Sequence, residues 1–168
     1  MSLQEKGAAP PSADGVSDGI DTSYLLSAPA EAVWELVADF GAIDAWWPAD
    51  GPVAIERVEN EGTGIGAVRH IWNRGFAHPI SERLEALAPE RLAWRLSIVG
   101  ERPAGLLWYE AEGRLVPLGT DACRLEYRAR YRVAPGREAE ARAFLSGCYD
   151  LMARGLSEAA RRRAGGGG

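Results

Sequence analysis

The chain has 168 residues and a mass of 18.1 kDa, is 46% apolar and 26% charged, and carries a net charge of −5. This is the size of one domain, with enough apolar residues for a full core. No apolar run approaches the roughly 20 residues a membrane-spanning helix needs, and the acidic balance argues against a nucleic-acid partner.

Residues 1–17 are rich in Ala, Pro, Ser, Gly and Asp and are expected to form a disordered leader. They lack the apolar stretch of a secretory signal, so a cytoplasmic location is expected. Gly19 to Ala28 reads as a strand, followed by a helix starting at Ala28-Pro29, where a proline loses no intrahelical bond. Val33, Trp34, Val37 and Phe40 give that helix an apolar stripe, and Gly41 stops it. Ile43 to Trp47 predicts a second short helical turn before Pro48.

From residue 52 the pattern alternates with period two. Val53–Glu59, Ile65–Trp72, Phe76–Leu87, Leu92–Val99, Leu106–Pro117 and Ala122–Val133 are six further strands. The turns between them are short, which makes neighbours antiparallel. In the last strand Cys123, Leu125, Tyr127, Ala129 and Tyr131 face one way and Arg124, Glu126, Arg128, Arg130 and Arg132 the other, giving one buried and one solvated face. After Pro135-Gly136 the period returns to 3.6. Residues 137–163 predict one helix of about 27 residues, about 40 Å long, with Leu145, Cys148, Met152 and Gly155 on one face. Residues 165–168 are four glycines, expected to fray. The domain proper is therefore 18–164.

Residue types narrow the chemistry. There are eighteen arginines but one lysine, Lys6, in the leader. Schiff-base chemistry, pyridoxal phosphate attachment and a Walker lysine are excluded from the folded part. Two histidines, His70 and His78, cannot make a three-histidine metal site, and Cys123 and Cys148 cannot make a disulfide scaffold. No metal or cofactor is implied. Gly62-x-Gly64-x-Gly66 imitates a phosphate loop, but no helix follows it. Asn60 and Asn73 are read as turn residues.

The ordered set Ser27-Ala28-Pro29-Ala30-Glu31-Ala32-Val33-Trp34, Asp39-Phe40-Gly41, Trp47-Pro48, Gly64-Ile65-Gly66-Ala67-Val68-Arg69 and Ser81-Glu82-Arg83-Leu84 resembles the START/polyketide cyclase-like (SRPBCC) superfamily over about residues 19–160. The resemblance implies an α+β helix-grip fold. A curved seven-stranded antiparallel sheet would wrap around a long C-terminal helix, with two short helices after the first strand and an apolar cavity between sheet and long helix. Members carry or transform lipids, sterols, hormones and polyketides, so fold alone leaves function open. A lysine-dependent condensation known among plant relatives has no lysine to use here.

Glu82 is the most informative polar residue, because Ile80 and Leu84 beside it put it on the inward face. A lone inward carboxylate is costly unless paired. Its partner depends on register. A two-residue Arg74-Gly75 loop places Arg69 inward, diagonal to Glu82. A three-residue loop from Asn73 turns His70, Trp72 and His78 inward instead. The first is favoured because it gives the carboxylate a permanent cation, while Pro79, unable to donate to the ladder, marks a possible bulge in either.

Trp94, Tyr109, Tyr127 and Tyr131 face inward by alternation, and Trp46-Trp47 sit at the expected rim. Aromatics with polar tips suit a cavity for a mostly apolar ligand with a few oxygens. The expected ligand contacts are Trp46, Trp47, Trp94, Tyr127, Tyr131, Leu145, Cys148 and Met152. The leading expectation is binding of a hydrophobic or aromatic small molecule by a monomer or homodimer without membrane insertion. The alternative is a polyketide cyclase, aromatase or dehydratase, in which Arg69 stabilises an enolate while Glu82 or Tyr109 moves a proton. A third possibility is a module that docks another protein through Trp46-Trp47.

Overall fold

The computed structural model describes residues 15–166. Strand β1 (Val16–Leu26) leads into helix α1 (Ala30–Ala38) and a 3₁₀ turn, Phe40–Ala45. Six strands follow: β2 (Ile55–Glu61), β3 (Val68–Asn73), β4 (Ile80–Ala88), β5 (Ala93–Val99), β6 (Leu106–Pro117) and β7 (Cys123–Val133). Helix α2 (Glu138–Gly165) closes the chain. The strands form one antiparallel sheet in the order β1-β7-β6-β5-β4-β3-β2. The two ends of the expected domain move outward. Val16 and Ser17, expected in the leader, already pair with Val133 and Arg132, and Gly165, expected to fray, completes α2. Residues 1–14 of the expected leader, and residues 167–168, lie outside the described residues.

Register shifts at Ile55/Arg57, Leu84/Ala86 and Leu106/Trp108 are bulges, which bend a sheet and raise its twist. The curved sheet presents one apolar face to α2. Ala141, Leu145, Tyr149, Met152, Leu156 and Ala160 form a buried stripe along the helix at three- and four-residue spacing. Two glycines set the closeness of this packing. A Cβ on Gly155 would overlap the Trp46 carbonyl oxygen and Pro48, and a Cβ on Gly113 would overlap the Trp94 indole. The outer face is wet, and its arginines pair with neighbouring acids: Arg130 with Asp21 at 2.8 Å and Arg124 with Glu126 at 3.0 Å. Such exposed pairs add little stability each. Among the described residues no helix is long and apolar enough to cross a membrane.

The β3–β4 connection differs from both expected registers. The ladder pairs Arg69 with Glu82 directly and ends at Ile71↔Ile80. Residues 74–79 then form a wider loop, and β3 runs on to Asn73 only against β2. Pro79, which cannot donate to a ladder, lies where pairing stops. The parity is that of the two-residue reading, so Arg69 is inward. His70 lies on the outer face, bonded to Ser81 and Glu61, and His78 is exposed.

Helix α2 is the main cover of the sheet's apolar face. Deleting residues 141–168 is expected to abolish cooperative unfolding, whereas ending the chain after Ala160 removes residues of which all the described ones, Arg161 to Gly166, are exposed, and should shift the melting temperature little. Calorimetry on the two truncations checks this, and a sharp transition near the full-length temperature in the shorter one would contradict the packing described.

Candidate functional site

Between α2 and the concave face of the sheet lies a cavity whose empty volume, mouth included, is about 660 Å³. Its walls come from the 3₁₀ turn and the loop after it (Ile43, Trp46, Trp47, Val53), from the sheet (Ile71, Ile80, Ile98) and from α2 (Phe144, Leu145, Met152). Arg69, Asn73, Glu82, Tyr109, Tyr127, Cys148 and Tyr149 add its polar atoms.

Arg69 is 7% exposed. Its Nε donates to Glu82 Oε1 at 2.8 Å, and its Nη2 lies 2.7 Å from the same oxygen. Nη1 donates to the Phe40 carbonyl at 2.7 Å, and the guanidinium carbon stands 3.9 Å from the Phe40 ring centre. One cation thereby ties β3 to β4 and to the turn after α1. A buried pair of this kind contributes little net stability as a pair, but breaking it strands a charge.

Next to the pair is a phenol cluster. The Tyr109 and Tyr149 hydroxyls are 2.7 Å apart, and the Tyr127 and Tyr149 rings meet edge-on with centroids 4.9 Å apart. Burial, then the proximity of the other two tyrosines and of Glu82, pushes the Tyr109 phenol well above its ordinary range. Burial followed by Glu82 does the same to Tyr127, and burial followed by Tyr127 to Tyr149. All three are neutral hydrogen-bonding groups near neutrality. Burial, with Glu82, also raises the Cys148 thiol to about 12, which makes it an apolar wall atom rather than a nucleophile. Trp46 Nε1 and Asn73 Oδ1 are buried in the same wall without a partner.

Of the expected residues, Arg69, Glu82, Tyr109, Trp46, Trp47, Tyr127, Leu145, Cys148 and Met152 are brought together around this cavity. Two are placed elsewhere. Trp94 is inward, but it packs under Trp34 and against Tyr127 above Gly113, in the solid core. Tyr131 is 1% exposed and its hydroxyl donates to Asp18 on β1, outside the cavity lining. Alternation gives the face of a strand but not the depth along it. Trp46, expected at a rim, is a buried wall residue at 5% exposure. Tyr149, Phe144 and Asn73 were not anticipated. Tyr149 was within reach of the pattern, standing four residues after Leu145 and three before Met152 on the same stripe. Asn73 is not a turn residue but the buried end of β3, and Asn60 is within β2. Among the described residues no group of three or more His, Cys, Asp or Glu side chains is arranged to hold a metal.

A curved seven-stranded antiparallel sheet gripping a long C-terminal helix around a cavity defines a helix-grip α+β protein. Residues 19–161 match the family described as polyketide cyclase/dehydrase and lipid transport, and the chain belongs to that family. The fold is shared with norcoclaurine synthase of Thalictrum flavum, solved as a point mutant with a transition-state analogue (TM-score 0.73, 19% identity, covering 91% of this chain and 99% of that one). It is also shared with the Zhui aromatase/cyclase of Streptomyces sp. R1128 (TM-score 0.74, 19% identity, 89% and 96% covered) and with the protein XoxI of Bacillus cereus (TM-score 0.70, 22% identity, 84% and 94% covered). The comparison with curated protein sequences finds no match.

The ion pair yields a double-mutant cycle. Arg69→Met alone should cost about 3–5 kcal/mol, and adding Glu82→Leu should recover most of it. Strict additivity in denaturant unfolding would show that the two groups do not act as a pair.

The phenols give a pH dependence with a definite sign. Their folded values lie above the unfolded value of about 10, so their contribution is complete below about pH 10 and is lost as pH rises toward the folded values. Melting temperature should therefore fall above about pH 10, and Tyr109→Phe should flatten that fall. A thermal-unfolding series from neutral to alkaline pH measures both.

Proposed function

We propose that this protein binds a compact hydrophobic or aromatic small molecule in the cavity between the sheet and α2. The observation that carries this reading is the lining. It is mostly aliphatic and aromatic, and among the described residues its only two charged side chains, Arg69 and Glu82, neutralise each other. Pockets for small organic ligands have this composition, an apolar body with a few placed polar groups. A cavity of this size suits a compact ligand better than a long chain. The match to a cyclase, dehydrase and lipid-transport family supports the same reading.

A second reading, a polyketide cyclase or dehydratase, is favoured by one arrangement. The protonated Tyr109–Tyr149 pair lies in the same cavity as a carboxylate. In an aldol cyclisation Glu82 would take the proton from the carbon between two carbonyls, and the resulting enolate would attack a third carbonyl. A tyrosine O–H would stabilise the alkoxide formed. Arg69 would supply a fixed positive field, its N–H groups remaining on Glu82 and Phe40. Turnover of a poly-keto surrogate, lost in Glu82→Gln, distinguishes catalysis from binding.

Binding itself is read from tryptophan fluorescence. Trp46 and Trp47 line the cavity and Trp94 does not. A ligand such as naphthalene should change emission saturably, with micromolar affinity corresponding to about −8 kcal/mol. Trp47→Phe should remove much of the signal and Trp94→Phe little of it. Met152→Trp should fill the space under α2 and weaken binding at least about tenfold without unfolding the chain. An unchanged affinity in Met152→Trp would place the ligand elsewhere.

A further inference from the structure

The Glu82 carboxylate is only half used by the protein. An arginine–carboxylate pair commonly engages both oxygens in two parallel bonds. Here Arg69 Nε and Nη2 both approach Oε1, at 2.8 Å and 2.7 Å, and among the described residues none donates to Oε2. The Glu82 side chain is 17% exposed and lines the cavity. Its free lone pairs face the largely apolar cavity and are open to a donor that enters it; a ligand that covered them without donating would leave a charged acceptor unpaired.

The charges of the lining decide what fits against Oε2. Among the described residues Arg69 and Glu82 are its only charged side chains, so the lining is formally neutral. A bound ammonium would leave a net positive charge in a low-dielectric space. A carboxylate or phosphate would meet an arginine already committed to Glu82 and Phe40, and would be repelled by Oε2. An ether or a hydrocarbon would cover Oε2 without bonding it. A neutral O–H satisfies the oxygen with no change of net charge. Among hydroxyls, a phenol or enol is the stronger donor toward a carboxylate, and its flat apolar body suits the Trp46, Trp47, Tyr127 and Phe144 walls.

We infer that the ligand class is a neutral phenol or enol, anchored by donating its hydroxyl proton to Glu82 Oε2. This inference rests on the cavity being the binding site, and it adds the hydrogen-bonding group by which the site selects among molecules of equal size.

The test is calorimetric titration of the full chain near pH 7 with four probes of one shape: 4-propylphenol, 4-propylanisole, 4-propylbenzylamine as its ammonium, and 4-propylbenzoate. The phenol is expected to bind about tenfold tighter than the anisole, the loss expected when a hydrogen bond to a charged acceptor is missing. It should also bind tighter than both ions. In Glu82→Gln the amide oxygen can still accept from Arg69 and an NH₂ can replace Oε2, so the preference for phenol should vanish or reverse while anisole still binds. Equal affinities for phenol and anisole in the unmodified protein, or tighter binding of the ammonium, would overturn the anchoring role while leaving the cavity as the site. No saturation with any of the four would overturn the cavity reading and this inference together. The unmodified protein decides between these outcomes even if Glu82→Gln does not fold.

Discussion

One guanidinium holds together three parts of the chain that are distant in sequence. Arg69 on β3 reaches Glu82 on β4 and the Phe40 carbonyl at the start of the 3₁₀ turn, and its planar group lies over the Phe40 ring. The direct pairing fixes the parity of both strands. A slip by one residue would send Arg69 and Glu82 to the outer face and bring His70 and Ser81 inside. The link to Phe40 anchors the turn that carries Ile43, Trp46 and Trp47 into the cavity wall. The polar floor and the aromatic wall of the site are thus held by the same side chain. That accounts for a charged pair being kept where an apolar pair would pack as well.

The fold was largely legible because its elements obey clean periods. β6 was anticipated at both of its ends, and the alternation of β7 separated the buried tyrosines from the solvated arginines residue by residue. The long helix was visible because the period changed from 2 to 3.6 after Pro135-Gly136. The β3–β4 connection was not legible. Loop length and ladder register trade off against each other, and a proline that stops pairing permits several combinations. The site was partly legible for a related reason. Period two tells which face Trp94 and Tyr131 occupy, but whether an inward residue meets a cavity or solid packing depends on what lies across from it. For Trp94 that is Gly113 and Trp34; for Tyr131 it is Asp18. None of these three neighbours is near in sequence.

Composition and geometry combine at the cavity in a way neither shows alone. The folded part contains no lysine, and neither histidine enters the lining. The groups left for proton chemistry near neutrality are a carboxylate fixed by arginine and phenols kept neutral by burial. Such a set favours recognition and stabilisation of oxygen functions over covalent capture. Cys148, the remaining nucleophile type in the wall, is a thiol at neutral pH. Among the described residues no lysine stands ready for the lysine-dependent chemistry that the resemblance implies for some relatives.

The pairing of β1 with β7 has a consequence for how the molecule is made. Val16 pairs with Val133 and Leu26 with Cys123, so the strand synthesised first waits for the strand synthesised last. Helix α2 then supplies the other wall of the core. No complete core can form, then, until both β7 and α2 have left the ribosome. Assembly belongs to the slow class set by non-local strand pairing. The unpaired strand carries Asp18 and Asp21, in a segment, residues 1–60, that holds eleven acids and two bases; charge of this kind works against the edge-to-edge association that an apolar strand edge invites.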